Sequence, residues 1–239
     1  MSLGPVGDLR PLHVDPVVLG RIVPMLAVHA DEVAALHAAD MGDSLWARLG
    51  PRFLRTLYRL LIDEEGFLGF VYVEAGQVRG FIAGSTDPDA MMGRLLRRGG
   101  FLLAPAALPW ALWPPITRRL LDTPRYAEVS AVDGAEVQAE SLFCTVVPAL
   151  RGQKVAGLLN LVLFEDLLSR GHAQVKVTTE VANDPARRQL RSWGFVERGR
   201  FSFYGKEMVV TTLQLTGHPR LTARGRHPML ERGAARRRR

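Results

Sequence analysis

The chain has 239 residues, 47% hydrophobic and 23% charged, with 31 basic and 24 acidic side chains, a formal net charge of +7 and one cysteine. That length and apolar fraction suit one large domain or two small ones, burying about 70% of the surface an unfolded chain exposes, and exclude a chain disordered throughout. One cysteine excludes an internal disulfide and a four-cysteine zinc site, so a reducing, cytoplasmic setting is expected.

The charge is unevenly placed. Residues 216–239 hold eight arginines and one glutamate, which leaves residues 1–215 balanced at 23 basic and 23 acidic side chains. The tail has no aromatic residue to stack on a base, so its contact with nucleic acid would be electrostatic and salt-sensitive, and no specific nucleic-acid partner is expected. The first twenty residues carry Asp8, Arg10 and Asp15 and do not read as a secretory signal. The longest uncharged apolar stretch, Phe101 to Thr117, contains four prolines and falls short of the ~20 residues a spanning helix needs.

Leu9 to Val14 is a strand candidate. Pro16 to Ala39 repeats apolar residues at helical spacing (Val18, Leu19, Ile22, Val23, Leu26, Val33, Leu36) and is expected to be one helix with Pro16 in its first turn. Leu45 to Ile62 predicts a second amphipathic helix, with Gly50-Pro51 as a break near its start. Phe67–Glu74 and Gln77–Gly84 flank Ala75-Gly76 and predict a β-hairpin.

Residues 86–128 interrupt the pattern with two or three short helices: Ala90–Arg98, Phe101–Trp113 broken by proline, and Ile116–Leu121. A strand over Glu136–Val147 follows, then an apolar helix over Val155–Ser169 stopped by Gly171. Ala173–Val181 alternates as a strand, Pro185–Trp193 is a short helix ending at Gly194, and Phe195–Tyr204 and Glu207–Leu215 are the last strands. Beyond Thr216 the apolar pattern fades, so 1–215 is expected to be the folded domain, 86–128 an insertion in it, and 216–239 a basic, disordered tail. The order of elements gives a mixed α/β (α+β) sheet covered by helices.

The informative stretch is Glu140 to Gly157, ESLFCTVVPALRGQKVAG. A strand stops at Pro148, and a basic, glycine-containing loop runs into a helix N-terminus. Unpaired backbone N–H groups and the positive end of the helix dipole meet there, which suits a phosphate, and Arg151 and Lys154 add positive charge. A solvated turn remains an equal reading of this loop taken alone.

Downstream, the strand ending near Val181 leads into Asn183-Asp-Pro-Ala186, and the short helix it opens closes on Trp193-Gly194-Phe195. Strand, phosphate loop, helix, strand, Asn-x-x-Ala helix and Gly-Phe strand start together resemble the GNAT superfamily of acyl-CoA-dependent N-acyltransferases. The resemblance is best over residues 136–204 and weaker over the hairpin 67–84. It implies a mixed, mostly antiparallel central sheet flanked by helices, with 86–128 as a helical insertion between the third and fourth strands.

Residue by residue, the resemblance lays the family's loop pattern Arg/Gln-x-x-Gly-x-Gly/Ala on Arg151, Gly152, Gln153, Lys154, Val155 and Ala156. Their backbone amides, with that of Gly157, would hold the pyrophosphate of acetyl-CoA or coenzyme A. It also implies that backbone groups at Thr145 and Val146 meet the pantetheine arm and thioester carbonyl, and that Asn183 contacts the cofactor arm.

Two positions depart from the pattern. The loop's middle glycine is Lys154, expected in ordinary helical space, where lysine is harmless and can reach a phosphate. If the position were left-handed, a non-glycine would cost about 1–2 kcal/mol. The family's tyrosine acid falls on Leu190, which has no proton to give, and Tyr204 is the candidate substitute, with a packed aromatic as the plainer reading.

Aminolysis of a thioester needs a neutral amine, a donor for the oxyanion and a base. The Val146 N–H is the oxyanion candidate. Glu140 and Glu180 are the candidate bases, with an exposed strand end as the plainer reading of each. Strict alternation would put Glu140, Leu142, Cys144 and Val146 on one side of the strand. The histidines show no metal-ligand spacing, and no metal is expected.

The expected activity is therefore transfer of an acetyl or short acyl group to an amine, on a small-molecule or sugar acceptor, by direct attack in a ternary complex. A longer-chain acyltransferase and a non-catalytic acyl-CoA-binding or regulatory domain are the alternatives. For the insert's apolar and arginine residues, an acceptor-pocket lid is preferred over a homodimer contact and over peripheral membrane contact.

Overall fold

The computed structural model describes residues 9, 12–111, 137–203 and 205–222. Its centre is a seven-stranded sheet in the order β1-β2-β3-β4-β5-β7-β6. The strands are β1 (Ile22–Pro24), β2 (Phe67–Glu74), β3 (Gln77–Ser85), β4 (Glu140–Val146), β5 (Gln174–Glu180), β6 (Val196–Phe203) and β7 (Lys206–Gln214). All neighbours pair antiparallel except β4 and β5.

Helices cover both faces. One carries α2 (Ala30–Asp40), α4 (Pro51–Ile62) and α5 (Pro88–Ala111), which bury Val33, Leu54, Leu57, Tyr58 and Leu95 against Val71, Phe81 and Ala83. The other carries α6 (Val155–Ser169), flanked by α1 (Pro16–Gly20) and α7 (Asp184–Trp193). Leu158, Leu159, Leu161, Val162, Leu163 and Phe164 of α6 are all buried, as a helix apolar on every side must be. A four-residue α3 (Leu45–Arg48) stands between α2 and α4.

The expected hairpin forms, and both residues of its turn lie at positive φ, Ala75 at 50° and Gly76 at 74°. Gly50, at φ 92°, separates α3 from α4 where the Gly50-Pro51 break was expected. Four expectations change. No strand occurs at the described residues among 9–14, and the single helix expected over 16–39 is instead α1, β1, a 3₁₀ turn at Ala27–His29 and α2. Pro24 cannot donate within a helix, whereas on an edge strand its missing N–H costs nothing; β1 is that edge, pairing Ile22 with Tyr72.

The insert begins as one helix rather than two. α5 runs through Pro105 and Pro109 because its packing outweighs two lost hydrogen bonds: Leu95 and Leu103 are buried, and Gly99 lies so close to Leu60 that an added Cβ would stand 2.5 Å from its Cδ1. Its outer side exposes Phe101, Leu102 and Leu108. Of the expected insert, 112–128 lie outside the described residues.

The folded region also passes Thr216, against the expected boundary. Arg220 stacks over the Trp193 ring at 5.3 Å and donates to the Ser192 carbonyl at 2.7 Å, and Thr222 donates through its N–H and hydroxyl to the buried Glu165 carboxylate. The rest of the tail lies outside the described residues.

Candidate functional site

The site begins where the sheet comes apart. Among the described residues, β4 and β5 are in register at one pair, Glu140 opposite Lys176, joined by the Lys176 N–H to the Ala139 carbonyl at 2.9 Å. Beyond it the two strands diverge, and a cavity of about 810 Å³ opens between them, walled by Asp40, Ser44, Cys144, Asn160, Glu180 and Asn183 among others.

The β4 edge that faces this gap is chemically specific. Val146 stands opposite Gly80, and the Val147 N–H donates to the Arg79 carbonyl at 2.9 Å. That pattern makes Val146–Gly80 a non-hydrogen-bonded pair, so the N–H and C=O of Val146 turn away from β3 toward the gap, as do those of Cys144. An extended ligand arm could add to this edge as a strand would.

β4 is not a uniformly alternating strand. The register slips between Ala83 and Gly84, leaving Leu142 as a bulge residue. Leu142 packs with Phe143 on the α2–α4 side, whereas Cys144 and Val146 face α6, so the side shared by Glu140, Leu142, Cys144 and Val146 in the sequence reading does not exist. Thr145 points to the α2 side, where its hydroxyl donates to Asp40.

Past β4, a 3₁₀ turn (Pro148–Leu150) leads through Arg151 and Gly152 to α6. Lys154 caps that helix in the left-handed region, φ 65° and ψ 1°, which overturns its expected helical geometry. Two positive-φ residues, Gly152 at 79° and Lys154, turn the chain sharply enough to present the loop and first-turn N–H groups of α6 together. Among the described residues no acceptor takes the N–H of Val155, Ala156 or Gly157. Gln153 turns back to the Ala149 carbonyl at 2.9 Å, and Arg151 donates to Asp40 at 2.5 Å.

The two candidate bases differ. Glu140 is 3% exposed, 3.7 Å from the Lys176 ammonium, and accepts from the Thr178 hydroxyl at 3.4 Å. It is therefore no exposed strand end, and it does not line the cavity. Glu180 does line it and pairs with Lys206 at 2.5 Å. Asn183 lines the cavity while its Oδ1 caps α7 by accepting from the Ala186 N–H at 3.2 Å. Leu190 is a buried wall residue, and Tyr204 lies outside the described residues. Among the described residues no group of three or more His, Cys, Asp or Glu side chains is arranged to hold a metal ion.

Asp40, His37, Ser44 and Asn160 were missed in the sequence. Asp40 ties α2 to both Thr145 and Arg151. Asn160 donates to the Ala156 carbonyl at 2.8 Å and lies 3.8 Å from the Cys144 sulfur, whose thiol burial pushes up to about 12. A thiol held so far toward its neutral form is no nucleophile at pH 7.

No protein-family model and no curated protein matches the chain. Solved structures do. SsHAT is 17% identical over 81% of this chain and 97% of its own, with a TM-score of 0.62. The ribosomal-protein-alanine N-acetyltransferase of Brucella melitensis is 16% identical over 81% and 98%, with a TM-score of 0.52. Ard1 of Thermoplasma volcanium is 16% identical over 82% and 98%, with a TM-score of 0.51. At these identities the likeness is one of fold, and the chain has the GNAT N-acetyltransferase fold. No helix among the described residues is long and apolar enough to cross a membrane.

Proposed function

We propose that the chain transfers an acetyl group from acetyl-CoA to an amine that enters the cavity from the side of the α2–α3 loop. The observation that carries this reading is the junction of two features: a β4 edge whose N–H and C=O groups face an open gap, and a turn at its end that gathers unpaired N–H groups at the start of α6. Their chemistry fits the cosubstrate, because a pantetheine arm carries amides that pair with a strand edge and a pyrophosphate suits a helix N-terminus.

In this reading the amides of Gly152 and of 154–157 hold the pyrophosphate, and Lys154 reaches it with its ammonium. Arg151 exchanges its contact with Asp40 for the phosphate. The thioester carbonyl lies against the Val146 N–H, which stabilises the oxyanion as the amine nitrogen attacks the carbonyl carbon. The C–N bond forms, the C–S bond breaks, and coenzyme A leaves as the thiolate. Glu180, on the cavity wall, receives the amine proton through water, and holding the two reactants together supplies much of the rate.

Calorimetry with acetyl-CoA and coenzyme A, followed by turnover over a panel of amines, tests the proposal. Binding of both with release of free thiol in the presence of an amine is the expected result. Binding without turnover would point to an acyl-CoA-binding domain, and preference for longer acyl chains to a different donor; absence of binding would end the acyl-transfer reading.

A further inference from the structure

Behind the α2–α3 loop lies a buried chain of three polar side chains that the proposed chemistry does not use. His37 is fully buried, with Nδ1 2.7 Å from the Tyr58 hydroxyl and Nε2 3.1 Å from the Ser44 hydroxyl. Tyr58 is also fully buried, between His37 and Phe81, and Ser44 stands on the cavity wall. The Ser44 oxygen accepts in addition from the Ala47 N–H at 3.2 Å.

Hydrogen-bond accounting fixes the direction of this chain. Among the described residues His37 is the one partner of the Tyr58 hydroxyl. If Nδ1 carried the ring hydrogen, the phenol would only accept, and its own hydrogen would be buried without an acceptor, at about 1–3 kcal/mol. With the hydrogen on Nε2, Tyr58 donates to Nδ1 and His37 donates to Ser44, and both buried groups are satisfied. Burial pushes the imidazole down to about 4, so the ring is neutral at pH 7 and has one hydrogen to place. Ser44 then accepts two hydrogen bonds, from Ala47 and His37. Both lone pairs are filled, and its own hydrogen is left for the cavity.

We infer that Ser44 is an oriented hydrogen-bond donor in the acceptor half of the cavity, with His37 and Tyr58 as the residues that position it. The inference rests on the acyl-transfer reading of that cavity and narrows its acceptor: an amine that carries a hydrogen-bond-accepting oxygen close to the nitrogen, as amino alcohols, amino acids and amino sugars do. An amine of the same size without that oxygen leaves the donor unpaired on closure, which is the stronger form of discrimination a site can impose.

Two measurements test it. Long-range ¹H–¹⁵N correlation on the wild-type protein at pH 7 should show His37 protonated at Nε2 and bare at Nδ1; the opposite tautomer overturns the inference. Kinetics with paired acceptors, glucosamine against cyclohexylamine and ethanolamine against propylamine, should show the oxygen-bearing member preferred. Ser44→Ala should reduce that preference about tenfold through the acceptor KM, with the acetyl-CoA KM unchanged, while Ser44→Thr keeps it. Tyr58→Phe should fall between them as the tautomer preference relaxes. A preference untouched by Ser44→Ala overturns the inference. Absence of acetyl-CoA binding in calorimetry would instead remove the acyl-transfer reading, and the tautomer would still decide where the Ser44 hydrogen points.

Discussion

Glu140 and Lys176 face each other at the last point where β4 and β5 run together, Glu140 buried at 3% and Lys176 half-buried at 13% side-chain exposure, with carboxylate and ammonium 3.7 Å apart. The pair sits at the apex of the splay. Replacing one member leaves the other charge facing a poorer environment, a change that typically costs about 3–5 kcal/mol when a buried pair is broken. Lys176→Met should therefore lower stability by about 3 kcal/mol, and Glu140→Gln added to it should recover part of the loss. Urea denaturation of the two single variants and the double variant measures the coupling; additive losses would show that the pair does not act as a unit.

The same placement separates the two carboxylates proposed as bases. Glu180 lines the cavity and Glu140 does not. Glu180→Gln should reduce kcat about 100-fold, whereas Glu140→Gln should change stability while leaving kcat in place. Rates measured with saturating acetyl-CoA, beside urea denaturation of both variants, distinguish them. An unaltered kcat in Glu180→Gln would move the proton to another acceptor, with Asp40 the next carboxylate on the wall.

What the sequence made legible was local. Ala75-Gly76, Val155–Ser169 and Gly194 carry their structural meaning within a few residues, as a turn, an apolar helix and a left-handed cap at φ 85°, and each forms as expected. Periodicity failed where tertiary pairing decided the outcome: Ile22 and Val23 fit a helix as well as a strand, and β2 settles the matter. Two of the missed site residues share one cause. Asp40 meets Thr145 and Arg151, 105 and 111 residues away, and His37 meets Tyr58 on another helix, so no spacing rule could join them. The bulge at Leu142 likewise has no signature in β4 alone, because it is a property of the pairing with β3.

Lys154 is a position where residue type and backbone conformation conflict. At φ 65° a lysine is strained by about 1–2 kcal/mol, while glycine adopts the geometry freely at the expense of a more flexible unfolded chain. Lys154→Gly should raise stability by about 1 kcal/mol and, by removing the ammonium, weaken coenzyme A binding several-fold. Lys154→Glu should weaken binding much more, since it keeps the strain and reverses the charge beside the phosphate. Thermal denaturation and calorimetry on both variants check the two effects separately; undiminished affinity in Lys154→Glu would exclude the side chain from the phosphate site.

His37 makes the fold sensitive to acid. Its imidazole is held down at about 4, against 6.5 when exposed, because burial between α2, Tyr58 and Phe143 penalises the charged ring. Below pH 6.5 the unfolded chain takes up a proton that the folded protein refuses until about pH 4, so folding free energy falls as the pH drops through that window and is unaffected by this group above it. From a shift of this size the loss between pH 7 and pH 5 is about 2 kcal/mol. Urea denaturation at the two pH values should show it, superimposed on the other titrating groups. His37→Gln isolates the contribution, because a glutamine can hold hydrogen bonds to Tyr58 and Ser44 but cannot titrate; its stability should change less between pH 7 and pH 5, by about the same 2 kcal/mol. A pH dependence identical in the variant and the wild type would mean that His37 protonates in the folded state near its ordinary value. The relay from Tyr58 to Ser44 would then carry a charged ring in acid and lose its single direction.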